Sequence, residues 1–393
     1  MTDRGVEIAI PILADRHLPA SAFLDAARAY EASRVVDYMQ GWDQLSSMFP
    51  PQLWNIGNAP LAALVPDLDS YPDFVAMLSA ASVVAPGLGT VLSTDAVRRG
   101  PAELMQTMLT LANLTQGRAQ FHLGSGEVKQ CKPFGWRRAE GWDKLEDVLK
   151  LSHLFWEHGS EPFDFDGKYW KLRDACLGGA RNHRPQIWGL GGGPKLMDYA
   201  TSYCDGFATL APFVAYSPQR WHEMVTTMKE QLERKGRDPD SFGFGLYCAY
   251  MTHEDENLIE AKLSNPLPAW FTAVVGRVVM TDWDAEGIEP PMPRDWHYAL
   301  HLKPHSLTDD QVSDILSRVT PEMSDRAWIR GSPARVSDRL QAFVDAGANW
   351  ISLIDMMPSI LDLEDGATAV TRTFDIAGRL KARNTALASS PSS

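Results

Sequence analysis

Three glycines in a row, Gly191-Gly192-Gly193, follow an apolar run at 185–190 and precede Pro194 and Lys195. Proline suits the first turn of a helix, where its missing N–H costs nothing. Glycines after a strand let the backbone come close to a ligand, and a helix start offers free N–H groups and a positive dipole end to an anion. The chemistry this pattern suits is a phosphate cradle; the plain alternative is a βα turn in which glycine only makes the bend. A second candidate is Glu127, just past an apolar run and after Gly124-Ser125-Gly126. A carboxylate there would serve as a general acid or base. A third is the stretch Asp37-Tyr38-Met39-Gln40-Gly41-Trp42. Tyr38 can donate a hydrogen bond to a carbonyl oxygen, but an ordinary phenol pKa of about 10 makes it a poor base. His297, His301 and His305 recur every four residues. Pro304 breaks a helix before the last of them, and no glutamate follows His297 as the H-E-x-x-H pattern requires, so no metal site is expected. Packing, or folding over the site as a spare base, is the alternative for this set.

Such groups need a scaffold that gathers loops at one end. Strand signals are expected at 7–12, 34–39, 88–93, 119–123, 185–190, 206–210, 242–251 and 350–354. Helix signals between them fall at 20–32, 101–114, 141–157, 194–203, 217–235 and 333–345, the last capped by Ser332 with Pro333 behind it. Alternation of this kind implies parallel strands joined by right-handed crossovers. About eight strands favour a single (β/α)8 TIM barrel, whose reactive groups sit in the loops at the C-terminal strand ends. A hairpin is expected at 163–172, turning at Asp166-Gly167. Two stretches escape the alternation, about 42–71 and 265–327, the second carrying Trp270, Phe271, Trp283, Trp296 and Tyr298. Loops this long are usually functional, and we read both as walls or lids over the barrel mouth, with a subunit contact as the alternative. The domain is expected to span 1–383, leaving 384–393 as a disordered Ala- and Ser-rich tail.

Composition narrows the partners. The chain has 393 residues, net charge −13, 45% hydrophobic residues and 13 tryptophans. The acidic balance argues against nucleic acid. Its four cysteines form no C-x-x-C pair, which indicates neither a zinc knuckle nor a disulfide framework and fits a reducing cytoplasm. The first residues show no signal-peptide core, and the uncharged stretch 74–94 is broken by Pro86, Gly87 and Gly89, so no membrane span is expected.

Taken in order, these segments resemble the bacterial luciferase-like superfamily of flavin and deazaflavin oxidoreductases. The resemblance rests on Asp37 to Trp42, set against a family Asp-His-x-Gln-x-Trp after the second strand, and on Val91 to Ala102. It rests further on the run Leu111 to Glu127 ending in Gly-x-Gly-Glu, on Pro133-Phe134-Gly135, on Phe165 to Trp170 and on the Gly191–Pro194 loop. It covers roughly 5–255 and 325–356. Within the superfamily it is strongest to the group using reduced coenzyme F420, which includes mycobacterial ketoreductases of long-chain lipids and a sugar-phosphate dehydrogenase. The resemblance implies that F420 or FMN binds with its phosphate at Gly191, Gly192, Gly193, Pro194 and Lys195 and its ring among Asp37, Thr94, Ser125 and Gly126. It implies catalytic roles for Glu127 and Tyr38, with Trp42 stacked beside the substrate. Tyr38 stands where F420-using relatives carry histidine, a departure that weakens an alcohol-dehydrogenase mechanism. The implied activity is hydride transfer to or from a carbonyl or alcohol of a bulky or apolar substrate. An FMNH2-dependent monooxygenase supplied by a separate flavin reductase is the alternative, and a non-catalytic flavin-binding paralogue is a second. Relatives with this barrel are often dimers, so a homodimer is expected.

Overall fold

Eleven strands appear in the computed structural model, which describes residues 5–388: β1 (Glu7–Pro11), β2 (Tyr38–Trp42), β3 (Gly89–Asp95), β4 (Ala119–Gly124), β5 (Phe163–Asp166), β6 (Lys171–Ala175), β7 (Gln186–Leu190), β8 (Gly206–Ala211), β9 (Gly243–Thr252), β10 (Ile329–Gly331) and β11 (Trp350–Asp355). Eight of them, β1, β2, β3, β4, β7, β8, β9 and β11, pair in parallel and close on themselves through β8–β9. Helices lie between successive strands and cover the ring, giving a single (β/α)8 barrel. β5 and β6 form the separate antiparallel hairpin, and β10 adds to the last three residues of β9. Residues 384–388, expected in the disordered tail, continue the last helix. The helix Leu363–Ala388 runs through 384, while 389–393 lie outside the described residues.

Large and small side chains interlock inside the ring. Tyr38, Trp188, Tyr247 and Trp350 fill it. A Cβ at Gly206, Gly243 or Gly245 would run into the Trp188 indole, and one at Gly89 into the Tyr38 ring. Glycine at these strand positions is therefore a volume requirement rather than a turn signal. A buried polar line runs among these rings, with the Tyr247 hydroxyl 2.7 Å from Ser93 Oγ and 2.7 Å from His122 Nδ1.

One boundary shift matters for function. The second strand begins at Tyr38, not at Arg34. Arg34 takes a left-handed conformation (φ 59°) that caps the helix Ala20–Ser33, so the chain cannot extend until after it. Gln40 and Gly41, poor strand formers by composition, lie mid-strand: Gln40 accepts from Ser352 Oγ, and a Cβ at Gly41 would strike Phe74.

Both insertions fold onto one another. The first makes two short turns, Pro51–Leu53 and Pro60–Ala63. The second is helical, with Pro266–Val275, Thr281–Ala285, Tyr298–His301, Asp309–Ser317 and Pro321–Ala327. They share a hydrophobic cluster that also takes in Phe213, Ala249, Met251 and Met357 from the C-terminal strand ends. Trp270 Nε1 donates to Met48 O (3.0 Å), Asn265 Nδ2 to Asn58 O (2.7 Å) and Gln52 Nε2 to Leu307 O (2.8 Å). The result is one cap over part of the barrel mouth.

Candidate active site

At the C-terminal rim, β7 runs into the glycine bend. Gly191 and Gly193 adopt φ of 141° and 88°, which L side chains rarely tolerate. The helix Pro194–Tyr203 starts directly afterwards with Pro194 in its first turn. No atom comes within 4 Å of a Cβ built on Gly193, so the bend is open. Among the described residues the N–H groups of Gly192, Gly193, Lys195 and Leu196 have no hydrogen-bond acceptor. An exposed bend with unclaimed donors at the start of a ten-residue helix fits the anionic end of a flavin-type cofactor. Lys195 does not reach toward it; its ammonium lies over the rings of Trp142 (4.9 Å) and Tyr199 (5.6 Å).

The neighbouring strand brings the second candidate to the same rim. β4 pairs with β7, Leu123 opposite Gly189, and a Cβ on Gly124 would lie 3.3 Å from Leu190 O. Ser125 Oγ accepts from Arg138 Nη2 (2.9 Å). Gly126, at φ 83°, packs against Val97 and Cys131. Glu127 ends the turn and opens the short helix Val128–Cys131. Its carboxylate pairs with Lys129 Nζ at 2.9 Å, a lysine only 1% exposed that also donates to Ser46 O. The Tyr298 hydroxyl, from the second insertion, faces Glu127, and burial first, then the charge of Glu127, pushes that phenol pKa upward. Glu127 is thus a tied carboxylate that links the rim to the cap.

Further round the ring, Trp42 closes β2 opposite Ser93 and is half-buried. Asp43 follows and accepts from Thr94 Oγ1 (2.6 Å) and Arg99 Nε (2.8 Å). Burial alone would raise the Asp43 pKa; the Arg99 hydrogen bond, the charges of Arg98 and Arg99, and Thr94 together hold it below the usual carboxylate value. Arg98 is bound to Asp95 and to Asp43, leaving it committed within the protein.

Asp37 and Tyr38 lie at the opposite end of the barrel and are corrected here. Asp37 Oδ2 accepts from Ile8 N (2.7 Å) and pairs with Lys381 of the last helix (2.7 Å). Tyr38 is buried in the barrel floor, its hydroxyl directed to Glu7 Oε1 (3.3 Å), and burial followed by the charges of Glu7 and Asp37 raises its pKa. Neither touches the rim that holds Glu127 and the glycine bend. With β2 starting at Tyr38, an aspartate followed by a second residue at the strand's C-terminal end falls on Asp43-Gln44. The non-titrating side chain at that place is Gln44, not Tyr38.

The structure therefore assembles Trp42, Thr94, Ser125, Gly126, Glu127 and Gly191–Lys195 at one rim. It adds Asp43, Lys129 and Arg138, which sequence reasoning had not placed there, and brings in His297 and Tyr298 from the insertion read as a lid, His297 as the alternative reading of the histidine set had it. Asp43 had a signal, as the carboxylate directly after Trp42. Lys129 and Arg138 had none, because basic residues on this stretch read as solvated and the burial of Lys129 against Ser46, 83 residues away, is set by the fold. His301 Nδ1 accepts from His297 N, and His305 pairs with Asp69 of the first insertion.

Comparison with known proteins agrees with this architecture. Residues 62–349 match the family model described as luciferase-like monooxygenase. The chain is 26% identical over 319 residues to phthiodiolone/phenolphthiodiolone dimycocerosates ketoreductase of Mycobacterium kansasii, covering 80% of this chain and 85% of that one. It is 26% identical over 275 residues to F420-dependent glucose-6-phosphate dehydrogenase of Kineococcus radiotolerans, covering 66% and 69%. Among solved structures, an F420-dependent secondary alcohol dehydrogenase in complex with an F420-acetone adduct superposes with a TM-score of 0.70 at 18% identity, covering 97% and 99%. The oxygenating constituent of 3,6-diketocamphane monooxygenase from Pseudomonas putida, in complex with FMN, gives 0.61 at 15%, covering 96% and 99%. At those identities the structural likeness speaks for the barrel alone; the family match spans most of the chain. The chain belongs to the luciferase-like monooxygenase family of enzymes.

Proposed function

We propose that this enzyme is an oxidoreductase that binds F420 or FMN at the barrel mouth and transfers hydride to or from a carbonyl or alcohol carbon of a bulky or apolar substrate. The observation that carries the reading is the open glycine bend, on the same rim as Ser125, Glu127 and Thr94. The cofactor supplies the hydride chemistry, and the protein supplies orientation and water exclusion. Gly191 to Leu196 would hold the anionic end. Trp42 and the rim loops of β3 and β4 would flank the ring, with Ser125 fixed by Arg138. The cap's aromatic cluster shields the mouth and favours apolar substrates. The ketoreductase and dehydrogenase relatives support the hydride reading.

Gln44 supports a second reading. A side chain that cannot titrate at the end of β2 suits an FMNH2-dependent monooxygenase served by a separate reductase. We further propose a cytoplasmic homodimer of one barrel domain with two insertions. All four cysteines are free thiols, and among the described residues no helix is long and apolar enough to cross a membrane.

The test is anaerobic incubation with F420H2 and a series of ketones of increasing chain length, following cofactor oxidation. A parallel incubation with FMNH2 and oxygen follows substrate-dependent oxygen uptake. Oxidation of F420H2 that grows with chain length is the expected result. Oxygen uptake with FMNH2, and none of the first, replaces hydride transfer by monooxygenation.

A further inference from the structure

We propose that His297, delivered by the second insertion, polarises the substrate oxygen through a hydrogen bond donated by its neutral imidazole Nε2–H. The proposal rests on the hydride-transfer reading above and gives that site its electrophile.

His297 precedes the helix Tyr298–His301 and caps it: Nδ1 accepts from Ala299 N at 3.2 Å. A ring nitrogen that accepts must carry its lone pair, so in the neutral ring the proton resides on Nε2. That Nε2 has no hydrogen-bond partner among the described residues. Tyr298, the next residue, faces Glu127, and the imidazole stacks on the Tyr298 ring (5.4 Å, 16°). The insertion thereby holds His297 over the loop that follows β4. The charged groups facing it are Arg138, Glu127 and His301. Burial first, then Arg138, lowers its pKa, with Glu127 opposing, so the neutral form prevails at neutral pH.

In carbonyl reduction the substrate carbon gains the hydride and the π pair moves onto oxygen. Nε2–H steadies the resulting alkoxide, which takes its proton from water, while the cofactor is oxidised by two electrons. His297 stays neutral throughout. Removal of such a donor typically costs about 10²–10³ in kcat.

The experiment combines His297→Asn with histidine NMR of the full chain. Asparagine keeps an oxygen for Ala299 N but removes the Nε2–H. Binding of F420 and of FMN is measured first by fluorescence. In wild type, the His297 resonances should report the neutral Nε2–H tautomer at neutral pH, and should shift when a long-chain ketone is added to the cofactor-loaded protein. The variant should bind cofactor as wild type does and lose about 100-fold in kcat with little change in KM. Bound cofactor with an unmoved Nε2–H signal, an imidazole that is protonated at neutral pH, or a variant kcat near wild type, overturns the role of His297 alone. Failure to bind either cofactor overturns this role together with the cofactor reading.

Discussion

Gly193 is the residue at which the cradle can be tested with the least disturbance elsewhere. It has φ of 88° and nothing beside it, so a side chain there meets backbone strain and then any bound anion. Gly193→Val should weaken binding of F420 or FMN at least tenfold in a fluorescence titration, with a strain cost of about 1–3 kcal/mol. Glu127 calls for the opposite control. Its removal leaves the Lys129 ammonium buried without a counter-ion, and breaking such pairs is costly. Because Glu127 is partly exposed, we expect Glu127→Gln to lose roughly 1–3 kcal/mol in denaturant unfolding, and Glu127→Gln/Lys129→Met to recover most of it. A kcat loss in the single variant that the double variant restores would mark Glu127 as an anchor rather than a proton carrier. At this scale the sequence was legible where glycine is demanded by backbone geometry, as at Gly191 and Gly193. It misled at Asp37 and Tyr38, because a left-handed cap at Arg34 displaced the strand and moved both residues from rim to floor.

Helices declared themselves through their ends. Ser332-Pro333 opens the helix Pro333–Asp345 as expected, with Ser332 accepting from Arg335 N. Inside the second insertion the same chemistry recurs at Asn265-Pro266, at Thr308 with Gln311, and at Thr320-Pro321. Read as a long loop, 265–327 concealed these caps, and the packing of its helices was hidden as well, since the partner is the other insertion, about two hundred residues away in the chain. The Trp188 pocket hid for a related reason: Gly206, Gly243 and Gly245 resemble strand breakers until the indole they admit is seen. Gly243→Val should force the ring aside and cost about 1–3 kcal/mol, read as a lowered Tm. Trp270→Ala should open both insertions at once. Hydrogen exchange is expected to rise around 48–65 as well as 266–275, with the barrel strands unaffected; a rise confined to 266–275 would mean the two insertions move separately.

For the molecule as a whole, Asp355 at the end of β11 sets part of the pH response. Its Oδ2 is shut away from solvent without a partner. Burial pushes its pKa up to about 7, against the Met357 N–H and the charge of Arg372. A carboxyl whose folded pKa lies above its unfolded one stabilises the fold at low pH, and that contribution drains away as pH climbs from about 4 toward 7. Asp355→Asn should therefore raise Tm at about pH 8 and leave it unchanged at about pH 4; an unchanged Tm at the higher pH would show that Arg372 already compensates the charge. The closure of the ring carries a last consequence. β1 pairs with β11, so the seam joins Glu7 to Trp350, and Lys381 of the final helix then fastens Asp37 beneath it. During synthesis the nascent polypeptide must hold β1 and β9 as open edges until β11, more than three hundred residues after β1, has left the ribosome, a long interval in which bare strand edges invite chaperones or aggregation.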